Sequence, residues 1–122
     1  MTQDRPSAVQ LLTAVREFLE HDVMAATDGR VRFHARVAVN VLDTVARELE
    51  LGDRFAADEE QRSAVLLGHE GEADALEREL AAAIRSGALD DRDDALRAHV
   101  RATVREKLLI ANPGYLPDAP PT

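Results

Sequence analysis

Three arginines and a histidine crowd one short segment, Arg30, Arg32, His34 and Arg36 of RVRFHAR, in a chain of 122 residues with a formal net charge of -8. The spacing predicts that this segment opens a helix, where cations oppose the macrodipole by about 0.3–1 kcal/mol each when exposed. Something should offset that cost. A bound anion could do so through the unpaired amides of the first turn, and salt bridges to the abundant Asp and Glu could do so equally. Further along, Arg36, Asn40, Asp43 and Arg47 recur at helical intervals, one polar stripe on a helix otherwise rich in valine. Buried, Asn40 would need partners for its amide and would fix helix register; exposed, the stripe would face a ligand or a partner.

The elements that must position these residues are helical. Apolar residues recur with the helical period in almost every stretch, without the alternation of a sheet. Ser7 with Gln10 reads as a capping box opening a first helix that ends near Ala26, before Thr27-Asp28-Gly29. A long apolar second helix is expected over about 30–51, packed on more than one side and stopped by Gly52. A third over about 53–67 stops at Gly68, a fourth over about 72–86 stops at Gly87, and a fifth starts within 90–94 and ends at Asn112-Pro113. The expectation is an all-α, compact five-helix bundle: an arm over 1–6, one domain over 7–112 and an irregular Pro-rich tail over 113–122.

Other side chains point less sharply to chemistry. Arg97, Arg101 and Arg105 form a basic row with His99 and Lys107 nearby, either a solvated face or a second acid-binding strip. Tyr115, the one tyrosine, follows Asn112-Pro113-Gly114 and could pack on the domain or dock a partner. The four histidines lack metal-ligand spacing, the carboxylate runs fall at helix starts where capping explains them, and no serine lies in a nucleophile elbow. The glycines are single, so no phosphate loop is present. No catalytic residue, metal or cofactor is therefore assigned.

Composition narrows the function classes. Cysteine is absent, which removes disulfides, thiolate metal sites and thiol chemistry and fits a cytoplasmic location. The N-terminus MTQDRPSAVQLL carries an acid and a proline ahead of its apolar residues, and no apolar run approaches the roughly 18 residues of a membrane span. With 23 acidic against 15 basic residues and 3% aromatics, nucleic-acid binding is not expected.

Taken together, RPSAVQLLTAVREFLEHDV, GRVRFHARVAVNVLDTVARELELG, IRSGALDD and LRAHVRATVREKLLIANPGYL resemble a bacterial family of small proteins with an uncharacterised domain, from about Arg5 to Leu116. That family looks like the small partner of aminoglycoside-phosphotransferase-like kinases, found beside them and beside acyl-CoA dehydrogenase-like enzymes. The resemblance implies joint action with such a kinase on a 4-hydroxyacyl-CoA, as in levulinate catabolism. The kinase would phosphorylate the acyl-chain hydroxyl, and a dehydrogenase-like enzyme would eliminate phosphate. The present chain would bind and shape the kinase, including its pocket for the anionic acyl-CoA, and supply no catalytic base. Phe33, His34, Arg36, Asn40, Asn112, Pro113 and Tyr115 carry over by motif, with Arg30, Arg32 and Arg47 added from the cation cluster and stripe. Beside this reading stand a separate binding module for an anionic CoA ester and a structural homo-oligomer.

Overall fold

The computed structural model describes residues 6–118. Among them every regular element is helical, and there are four helices rather than five. Helix α1 (Ala8–Glu17) runs on through a π-helical segment (Phe18–Val23) into a last α turn (Met24–Ala26). Then follow α2 (Gly29–Leu67), α3 (Ala73–Ser86) and α4 (Asp93–Ala111), with short 3-10 turns at Asp90–Arg92 and Pro113–Tyr115. Of the expected N-terminal arm, residues 1–5 lie outside the described residues, as do residues 119–122 of the tail.

Local chemistry accounts for most of the boundaries. Ser7 and Gln10 make both capping-box bonds: the Gln10 N–H donates to Ser7 Oγ at 3.2 Å, and the Ser7 N–H to Gln10 Oε1 at 2.8 Å. Gly87 ends α3 in the left-handed region, at φ 80°, while the Ala88 N–H closes back on the Ala83 carbonyl at 3.0 Å. Asn112 ends α4 ahead of Pro113, and its N–H reaches the Leu108 carbonyl at 2.8 Å.

Gly52 does not stop a helix. The stretches expected over 30–51 and 53–67 form one helix of 39 residues, and Gly52 is not among the glycines with positive φ. A glycine inside a helix costs only about 1 kcal/mol relative to alanine. It stops a helix where the chain can turn left-handed and reuse the free carbonyls, and Glu50-Leu51-Gly52-Asp53 offers no proline or left-handed cap to do so.

The chain divides into two compact units, with the boundary between Glu50 and Leu51. In the first, α1 and its extension pack antiparallel on the start of α2 and bury Met24, Ala35 and Val39. The π-helical segment widens one turn, so that the Met24 N–H bonds the Leu19 carbonyl. That geometry sets Leu19 and Met24, five residues apart, on one face. In the second unit Leu66, Leu80 and Leu89 form the core, with Leu67, Ala83 and Leu96 packed around them. Arg92 Nη1 donates to the Leu66 carbonyl at 2.9 Å and so satisfies an acceptor near the end of α2.

Two substitutions separate the glycines. Gly52→Ala should raise stability by about 1 kcal/mol, because it removes unfolded-state entropy from a helical position. Gly87→Ala should lower it by about 1–2 kcal/mol: a Cβ there would be left-handed and would sit 3.0 Å from Asp90 Oδ2. Urea unfolding of both variants is the measurement, and a destabilised Gly52→Ala would contradict the continuous helix.

Candidate functional site

α1 covers only one face of the start of α2. Leu42 and Ala46 accompany the buried Ala35 and Val39 there as half-buried neighbours. At the edge of this contact Arg16 Nε donates to Asp43 Oδ1 at 2.6 Å and Arg16 Nη2 lies 3.3 Å from Glu20 Oε2. The Asp43 hydrogen bond is the main reason that the Arg16 pKa is raised. Asp43 is therefore held by α1. Arg47 Nη2 donates to Thr44 Oγ1 at 3.3 Å. Asn40 is exposed, as is Arg36, so a buried register-fixing amide is not what Asn40 provides.

The remaining outer face of α2 is apolar and open. Phe33, Val37, Val41, Val45 and Leu49 are 63%, 42%, 55%, 40% and 52% exposed, so among the described residues the expected packing of this stretch on more than one side is not found. Leu11, Val15 and Phe18 of α1 and its extension are exposed as well. Between the two helices an open groove of about 370 Å³ is lined by Leu19, Val23, Arg30, Val31, His34, Ala35 and Ala38. The Phe33 and His34 rings meet edge to face at 5.5 Å. Arg30, Arg32 and Arg36 make no ion pair among the described residues, so the expected salt bridges to Asp and Glu do not offset their position at the helix start.

The second unit holds the other candidates. Asn112, Pro113 and Tyr115 form the turn that closes α4, and Tyr115 is 74% exposed. The basic row is partly neutralised, with Arg97 on Asp93 at 2.6 Å and Arg105 on Asp118 at 2.7 Å. Val100, Val104 and Ile84 keep helical spacing and are exposed. A larger open groove of about 630 Å³ is lined by Ala57, Ala64 and Val65 with Glu60, Gln61, His69 and Glu70. Its carboxylates disfavour an anionic ligand. Hydrogen bonds to the Glu70 carbonyl and to Glu79 raise the His69 pKa.

A family model described as a domain of unknown function, DUF6285, matches residues 25–115. The chain belongs to this family. The match takes in the exposed face of α2 and the whole of α3 and α4, while the expected likeness to residues before 25 lies outside it. No curated protein and no solved structure matches the chain. Among the described residues of this DUF6285 protein no three His, Asp or Glu side chains converge as a metal-binding set, and no helix is long and apolar enough to cross a membrane.

One polar network in the DUF6285 chain has no counterpart among the sequence candidates. Arg62 donates through Nε to His99 Nδ1 at 3.2 Å, through Nη2 to Thr103 Oγ1 at 3.2 Å, and through Nη1 and Nη2 to Glu106 at 3.1 and 2.8 Å. The two-pronged contact with Glu106 is the main reason that the Arg62 pKa is raised. His99 is buried, and Nδ1 accepts a hydrogen bond from the Arg62 guanidinium, which assigns the neutral tautomer with hydrogen on Nε2. The available signal was the spacing of Leu96, His99, Thr103 and Glu106, which puts all four on one face of α4.

Burial, and then the Arg62 charge, hold the His99 pKa below its usual 6.5. The unfolded chain therefore takes up this proton first as pH drops. Stability from His99 is complete above about pH 6.5 and is lost as pH falls through the lower folded value, with a slope of at most about 1.4 kcal/mol per pH unit. Urea midpoints measured from pH 7.5 downward should fall in the wild type and fall less steeply in His99→Gln over the same window. Parallel curves would remove His99 as the cause.

Proposed function

We propose that this DUF6285 protein is a non-catalytic accessory subunit of an aminoglycoside-phosphotransferase-like kinase acting on hydroxyacyl-CoA substrates in the cytoplasm. The observation that carries the proposal is the open apolar face of α2, with Phe33, Val37 and Val41 exposed beside Arg36 and Asn40. Partner surfaces combine such apolar and aromatic anchors with arginine, and burying them removes apolar area from water at about 25 cal/mol per Å². Arg30, Arg32 and Arg36 add positive charge suited to an anionic acyl-CoA held in the kinase pocket. In this reading the kinase transfers the γ-phosphoryl group of ATP to the acyl-chain hydroxyl, whose proton passes to a kinase base. The subunit stabilises the shape of that pocket.

The groove beside Arg30 and His34 favours a second reading, a separate module for an anionic small molecule such as a CoA ester. At about 370 Å³ it lies at the small end of ligand clefts, so only part of a CoA ester would enter. Thermal stabilisation by CoA esters in the absence of any kinase would favour the module.

Co-expression with the kinase tests the first reading. The two chains should co-elute, and the kinase alone should lose most of its activity on hydroxyacyl-CoA. Phe33→Ala should weaken the complex about thirtyfold, the scale of an aromatic anchor at an interface centre. Separate elution together with kinase activity that does not respond to this chain would end the proposal.

A further inference from the structure

The outer face of α2 is complementary to itself. Arg30, Val37, Val41 and Glu48 follow one another at helical intervals along its middle, with Phe33 and Thr44 on one flank and His34 and Val45 on the other. A second helix laid antiparallel, with the two-fold axis midway between Val37 and Val41, sets valine against valine at the centre and opposite charges against each other at the ends. Val37 meets Val41 of the other copy and Arg30 meets Glu48, while each flank faces the same flank of the other copy, so that Phe33 lies beside Thr44 and His34 beside Val45. The end residues carry the argument for orientation. A parallel pairing would oppose Arg30 to Arg30 and Glu48 to Glu48, and registers displaced by a turn or two would set Arg30 or Glu48 against valine. Neither Arg30 nor Glu48 has an ion-pair partner among the described residues, so both are free for the contact.

From this pattern we infer that two copies of the chain associate through the outer face of α2, antiparallel, with Val37 and Val41 at the centre and Arg30–Glu48 ion pairs at both ends. The stretch from 30 to 48 spans about 27 Å of helix, and valines at the centre let the axes approach to the usual 8–10 Å or so. Each chain brings four exposed apolar side chains, Phe33, Val37, Val41 and Val45, to the contact. The inference concerns the isolated chain and does not rest on a kinase partner.

Sedimentation equilibrium of the purified chain should show a concentration-dependent dimer. Val41→Glu should make it monomeric, with unchanged far-UV circular dichroism because the side chain is exposed. Arg30→Glu or Glu48→Arg alone should weaken association about tenfold, since each meets two like charges in place of two ion pairs, and the double exchange should restore it. The chain has no cysteine of its own, so engineered thiols report register cleanly. A mixture of the Val37→Cys and Val41→Cys variants should oxidise to the mixed disulfide, while either alone should cross-link poorly. A wild-type monomer at the highest soluble concentration, failure of the double exchange to restore association, or efficient cross-linking of Val37→Cys with itself would each overturn the inference. The kinase reading is judged separately, by co-elution, and its failure would leave these outcomes unchanged.

Discussion

Backbone hydrogen bonding that runs unbroken from Gly29 to Leu67 is the constraint on which the other features depend. A continuous helix fixes the angular position of every side chain along it. Once Ala35 and Val39 are turned towards α1, Phe33, Val37 and Val41 must point elsewhere, and no local adjustment can bring them into the same contact. The first unit is left with an apolar surface that α1 does not cover. The π-helical segment ends on the buried Met24 and leaves Phe18 exposed.

Signals written in neighbouring residues were legible from the sequence. The Ser7–Gln10 box, the left-handed Gly87, the stop at Gly68 and the end of α4 before Pro113 each depend on contacts within a few positions. Gly52 misled because its propensity is a small term, outweighed by uninterrupted hydrogen bonding on either side. Periodicity likewise identified apolar faces correctly but did not say which of them the chain itself covers. Val15, Val100, Val104 and Ile84 keep helical spacing and are exposed, because the same pattern serves a core and a docking surface.

Pairing across helices was beyond the reach of spacing. Asp43 read only as one member of a polar stripe on its own helix, yet Arg16 holds it at 2.6 Å from the neighbouring helix. Spacing along one helix says nothing of what a crossing helix brings, and here it delivers a guanidinium directly to Asp43. Arg62 and His99 are separated by 37 positions and lie on different helices, so neither looked special. His99 stood in a row of arginines and read as part of a basic face; its burial reverses that reading.

The two groups of polar residues differ in how fully they are satisfied. Arg62 spreads its donors over His99, Thr103 and Glu106, and among the described residues no buried side-chain nitrogen or oxygen lacks a partner. Such a network has little left to offer a newcomer, and breaking it would cost the desolvation of whatever group was stranded. The outer face of α2 is the reverse case, with exposed apolar side chains and, among the described residues, arginines without an ion pair at the start of the helix. Free energy of association is available where groups are still in contact with water and would gain by leaving it. The satisfied network therefore holds the second unit together, and the unsatisfied face of the first is where a partner stands to gain most.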